Sequence, residues 1–401
     1  MTRHHPRARV FAVHLPALVP WLLLCACAPS DDGPAAFAQR DSAGIAIIES
    51  VRPAWGDSAH WQVHPEPVVD LAESGTAAAH DFYRVLDVRR FSDGSLVVAN
   101  RGSNEIRKFS ADGSFIGSAG GYGEGPGEFA NMQQIDPAGD SLLVLDWDGR
   151  MTLFGPDLTL VRTLWPNDDV SEMHYLGDGL MVTEVVVPDI EGVGLVRHRG
   201  VLVVFDLEGE GGDSIGWTFG HEEYVTDILS SRPLFGKNSL LDTHGDRIFL
   251  GSSDHMQVEE INARGDTLRV LRIPDFPLSL SAEQVEAERN ARFDIPLPQG
   301  VTSLPPPFVA AIEGMPSPER RPAYANMLVD PMGAVWLLPH RGFSEEGGPE
   351  DWQVLGPNGN WLGSVEIPEG FRVTELGTDE VLGVWTDELD VQHPQVLRLS
   401  R

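Results

Sequence analysis

A turn followed by a short apolar strand recurs six times along this chain, and that recurrence restricts the fold more than any other feature. The turns fall at Asp93-Gly94, Ala138-Gly139, Asp178-Gly179, Gly245-Asp246, Met332-Gly333 and Thr378-Asp379. Apolar strands follow each one: Leu96-Val97-Val98, Leu142-Leu143-Val144, Leu180-Met181-Val182, Ile248-Phe249-Leu250, Val335-Trp336-Leu337 and Val381-Leu382-Gly383-Val384. A second turn lies inside most units, at Asp112-Gly113, Pro156-Asp157, Glu208-Gly209, Arg264-Gly265 and Asn358-Gly359, as four strands in a meander require. Units repeating every ~40 to 50 residues indicate a propeller or an array, because one such unit cannot bury its own apolar face.

One unit is clear enough to carry a resemblance. From Val97 to Phe129 the chain runs strand, polar loop, strand, Asp-Gly turn, strand and a glycine-rich crossover. Asn104, Ile106, Phe109, Asp112, Gly113, Gly125, Pro126, Gly127 and Phe129 match the pattern of an NHL-type repeat, with Glu105 standing where that family usually has Arg. The whole chain resembles secreted bacterial six-bladed propeller proteins of largely unassigned activity. The expected fold is therefore all-β: a six-bladed β-propeller over 45–401, with residues 45–70 closing the last blade so that no edge is left unpaired.

Two spacings are long. Ser281 to Tyr324 predicts an insertion between blades four and five, helical after the capping-box pattern Ser281-Ala282-Glu283-Gln284 and proline-rich at Pro305-Pro306-Pro307. It is either a flap packed on a neighbouring blade or a lid over the central opening. Pro188 to Gly200 predicts a smaller insertion in blade three, a solvated hairpin tip carrying Arg197, His198 and Arg199 or a local anion or partner contact.

Residues 1–26 read as an export signal, with Arg3, Arg7 and Arg9 ahead of an apolar run from Val10 to Leu24. Leu24-Cys25-Ala26-Cys27 resembles a bacterial lipobox, which implies lipidation at Cys27 and a flexible tether over 27–44. The alternative is cleavage after Ala36-Phe37-Ala38. The expected address is the cell envelope, facing the periplasm or exterior, with the membrane touched only through the lipid. Cys25 and Cys27 are the sole cysteines, so the globular part can form no disulfide or thiolate site.

With 60 acidic and 29 basic side chains the net charge is -31, a field that repels phosphate backbones and excludes nucleic acid as a partner. The loops between second and third strands should gather round one mouth of the channel. They nominate Asn100, Arg101, Asn104, Asp146, Asp148, Asp254, His255, His340 and Arg341 as ligand-binding residues, with Asp387 and Glu388 nearby. Asp146 and Asp148 could offer hard oxygens to calcium. No nucleophile, base and orienting group can be picked out, so the preferred function is a binding or interaction scaffold for a small molecule or an envelope protein. The alternative is a calcium-dependent lactonase or esterase, or an NHL-type lyase. His221-Glu222-Glu223 lacks the second His of a helical zinc motif, and His174 and His244 read as edge residues beside apolar strands.

Overall fold

The computed structural model describes residues 36–401, apart from 57–59, 76–77, 166–169, 188–191, 209–210, 295–296, 298–301 and 346. The expected signal and Cys27 lie outside the described residues.

A hairpin of β1 (Phe37–Ser42) and β2 (Ile45–Ser50) comes first, followed by β3 (Gln62–Asp70). The first sheet is β4 (Val85–Arg90), β5 (Leu96–Asn100), β6 (Glu105–Phe109) and β7 (Phe115–Gly120). The second is β8 (Met132–Ala138), β9 (Ser141–Asp146), β10 (Met151–Phe154) and β11 (Leu160–Leu164). In the third, β12 (Val170–Gly177) and β13 (Leu180–Val187) are separated by β14 (Gly194–Arg197) from β15 (Arg199–Asp206) and β16 (Gly211–Thr218). After it, β17 (Glu222–Val225) and β18 (Ser230–Ser231) join β14 in a small sheet of their own.

The fourth sheet holds β19 (Leu240–His244), β20 (Arg247–Gly251), β21 (Gln257–Asn262) and β22 (Thr267–Arg272). Helices α1 (Ala282–Ala291) and α2 (Pro306–Gly314) follow. The fifth sheet is β23 (Tyr324–Val329), β24 (Val335–Pro339), β25 (Glu350–Leu355) and β26 (Trp361–Ile367). The sixth is β27 (Phe371–Leu376), β28 (Glu380–Thr386) and β29 (Gln392–Ser400), with β3 as its outer strand. All six turns picked out in the sequence join the first strand of a sheet to its second.

The second strands are apolar without a break because both of their faces are buried. In β5, Leu96 and Val98 pack towards the sixth sheet while Val97 and Ala99 pack towards the second. In β9, Leu142 and Val144 face the first sheet and Leu143 and Leu145 the third. Similar cores lie between sheets three and four, four and five, and five and six. The first strands touch one another in a cycle, β4 to β8, β12, β19, β23, β27 and back to β4. Sheets packed face to face around a ring of inner strands make this a β-propeller.

The N-terminal segment differs from expectation in two respects. Only β3 pairs with the C-terminal strand, antiparallel, with Val396 opposite Val69 and Gln395 opposite Asp70. Pro65 and Pro67 fit there because an outer strand needs no donors on its solvent side. Residues 45–50 instead run parallel to β22 as β2, where Ile48 is buried against Leu271. The second difference is that the 27–44 span is not tether throughout: Phe37–Ser42 forms β1, hydrogen-bonded along β2. The buried isoleucines of β2 anchor that hairpin, so the fourth sheet reaches six strands.

α1 starts as its sequence specifies. The Ser281 side chain accepts the Gln284 amide at 3.2 Å and Gln284 Oε1 accepts the Ser281 amide at 3.0 Å. Pro306 and Pro307 open α2, where a missing N–H costs nothing. Among the described residues no helix is long and apolar enough to cross a membrane.

Candidate functional site

First strands are inner edges, so their outward backbone groups lack ladder partners and side chains supply them. Gln134 Oε1 accepts the Met173 amide at 2.9 Å, Asp136 Oδ2 the Tyr175 amide at 2.6 Å, and Glu375 Oε2 the Arg90 amide at 3.0 Å. Thr243 and Thr374 donate to the carbonyls of Tyr175 and Val88 at 2.8 Å. Polar side chains thereby stitch β8 to β12, β12 to β19 and β27 to β4.

The same positions place charge along the centre. Arg89 Nε sits 3.0 Å from Asp87 Oδ2, and Asp136, Glu375 and Asp242 surround the same guanidinium. Burial opposes the charge on Arg89, but these carboxylates outweigh it and raise its pKa. Burial lifts Asp87 and Asp136 despite Arg89, and lifts Glu375 to about 7. His174 lies 3.6 Å from Asp242 and 3.9 Å from Glu172, and the two carboxylates overcome its burial to hold it protonated to about 10. His174 is thus part of the central ion network, because the register of β12 turns it inward. A cavity of about 290 Å³ opens at the turn end of this network, beside Arg89, Asp136, Asp242 and Glu375.

The nine residues nominated from the loops are mostly committed to building those loops. Asn100 Oδ1 accepts the Tyr83 amide at 3.0 Å, and Arg101 Nε donates to Asn131 at 2.7 Å. Asn104 occupies a left-handed turn at φ 52° and offers its carbonyl to Gly121 at 2.7 Å. Asp146 accepts the amides of Ala130, Asn131 and Trp147 and the Arg150 guanidinium, a full set of four bonds. That leaves it no oxygen lone pair for calcium without breaking the loop. Asp148 caps the Arg150 amide at 3.1 Å, and Arg341 holds its own loop through the carbonyls of Gly347 and Pro349. His340 packs on Phe235, and burial, with Arg232 and Arg321 nearby, lowers it to about 4.

Asp148 lines a cleft of about 420 Å³ with Trp147 and Gly149, and Asp254 and His255 border one of about 520 Å³ between the third and fourth sheets. Asp254 meets Arg197 at 2.7 Å and Lys237 at 2.8 Å. Burial opposes its charge, but the Lys237 and Arg197 cations prevail and lower its pKa. Trp217 and Phe219 wall the same cleft and remain 63% and 66% exposed, with the Arg197 guanidinium 5.3 Å from the Phe219 ring.

Two excursions meet beside this cleft. Leu234 and Phe235, from the segment after β18, form a small core with Val285 of α1 and Met315 after α2. Arg292 donates to the carbonyls of Arg232 and Pro233, and Tyr224 Oη donates to Gly314 O at 2.8 Å. The 219–239 excursion was not singled out in the sequence, because its short strands carry no apolar period of their own.

No family model matches the chain, and no curated protein matches it. Among solved structures, a protein from Bacteroides fragilis described as exported aligns with a TM-score of 0.51 and 11% identity, over 88% of this chain and 99% of that one. A member of the DUF4221 family from Bacteroides vulgatus aligns with a TM-score of 0.52 and 9% identity, over 85% of this chain and 99% of that one. At such identities the likeness is one of fold.

Proposed function

We propose that this chain is a six-bladed β-propeller, exported and lipid-anchored at Cys27, that serves as a binding module of the cell envelope. The cleft between its third and fourth sheets takes a polar ligand with a flat apolar face, free or displayed by an envelope partner. Six inter-sheet cores and the cycle of inner strands support the blade count. The binding reading is carried by one observation: Trp217 and Phe219 stand largely in water beside the Arg197, Asp254 and Lys237 ion cluster. Two large aromatics left wet in a concave, charged setting are costly for a surface without a ligand. Aromatic faces stack on flat rings while the charges orient polar groups, which suits a sugar or a peptide side chain.

A thermal-shift panel of cell-wall saccharides and short peptides tests this, run in parallel on wild type and Trp217→Ala. Ligands that raise the melting temperature of wild type should lose that effect in the variant. Stabilisers acting equally on both proteins would remove the cleft as the site. For the anchor, labelled palmitate should enter the wild-type chain and not Cys27→Ser, whereas a mature chain starting at Gln39 would replace the lipid reading with cleavage after Ala38.

A further inference from the structure

We infer that His198, His221 and Glu223 form a binding site for a divalent transition metal of the zinc class, with one coordination position open to solvent. Neither segment suggests this alone, since the two histidines are separated by a whole pair of strands. Pairing of β14 with β17 sets Val196 opposite Glu223 and Arg197 opposite Glu222. One step on, the His198 amide donates to the His221 carbonyl at 3.0 Å, so His198 stands opposite His221. Side chains alternate along strands, which projects His198, His221 and Glu223 from one face of the ribbon.

Their ligand atoms all lie within 4.8 Å of one another. The two imidazole rings are 4.8 Å apart between centroids, and His198 Nε2 is 2.9 Å from Glu223 Oε2. A zinc ion bonds nitrogen and carboxylate oxygen at ~2.0 to 2.2 Å, so modest side-chain rotation closes three such atoms around it. Two imidazoles and a carboxylate favour late first-row metals over calcium or magnesium, and three protein ligands leave a fourth position for water. The Glu223 side chain is 28% exposed and that of His198 only 6%, so an ion can enter from one side and be gripped from the other.

The backbone holds the pair in place. Gly220 adopts φ 58°, and a Cβ there would run into the His198 carbonyl. On either side of His221, Ser239 N donates to Gly220 O and Glu222 N to Lys237 O, both at 2.9 Å.

Cobalt titration of the purified full chain, followed by visible absorption, tests the site. About one equivalent should give the strong band of tetrahedral Co²⁺, which Zn²⁺ then abolishes by displacement. His198→Gln, His221→Gln and Glu223→Gln should each weaken binding at least about tenfold, and His393→Gln, in the separate Asp70, Glu73 and His393 group, should not. Where a variant fails to fold, wild type gives a second readout: Zn²⁺ should protect His198 and His221 from carbethoxylation. Absence of the band, binding unchanged in the three variants, or equal modification with and without Zn²⁺ would overturn the inference.

Discussion

Asp242 of the fourth sheet accepts the Val329 amide of the fifth through Oδ2 at 2.6 Å, while its Oδ1 accepts the Thr243 amide at 2.7 Å. One carboxylate thus satisfies the free edge of a neighbouring inner strand and supplies a counter-charge to His174. Asp242→Ala should therefore lower unfolding stability by about 1 to 3 kcal/mol per amide left without an acceptor. Asp242→Asn, which keeps one carbonyl, should lose less. Urea titration followed by tryptophan fluorescence measures both.

The alkaline limb of stability should carry the signature of His174. Its pKa in the folded chain is about 10 against an ordinary 6.5, so the folded state holds the proton more tightly. That stabilisation is complete below pH 6.5 and is lost as pH rises towards 10. His174→Gln should flatten the fall across this window, as seen in melting temperatures between pH 6 and 10.

His340 should act on the acid side. Its folded pKa is lowered to about 4, so the unfolded chain binds its proton first on acidification. Stability from this group is present above pH 6.5 and drains away as pH falls to 4. His340→Gln should lose less between pH 6.5 and 4 than wild type, with melting curves in matched buffers as the measure.

Deleting residues 1–70 removes β3 and uncovers the edge of β29. It also strips Trp61 from its place 5.8 Å from the Trp336 ring and 4.3 Å from the Arg401 guanidinium. A bare edge strand is a template for pairing between molecules. The shortened chain should elute as oligomers in size-exclusion chromatography, where wild type at the same concentration does not.

Strand and turn units were legible in the sequence because turn residues and unbroken apolar runs report local geometry that survives in the fold. Asp93-Gly94 and Leu96-Val97-Val98 describe one hairpin completely. β2 was harder to place: Ile45, Ile47 and Ile48 announce a buried strand but not which sheet it joins, and parallel pairing with β22 has no local signal. The central charges were visible only as single polar residues inside apolar strands, such as Asp136 after Ile135 and Asp242 after Leu241. Their meaning depends on register across the ring. Asp146 and Asn100 accept backbone amides in their loops, and residue type alone does not separate a cap from a ligand. His198 and His221 were each set aside alone, since the ribbon pairing that brings them together is invisible in either segment.

Gln395 and Asp70 are bonded across 325 positions of sequence. β3 is made before the sheets that lie between and β29 after them, so the ring cannot be sealed until both strands exist. Contacts so distant along the chain should make closure slow. Removing β29 should therefore strip the partner from β3, near the beginning of the described chain, as well as from β28.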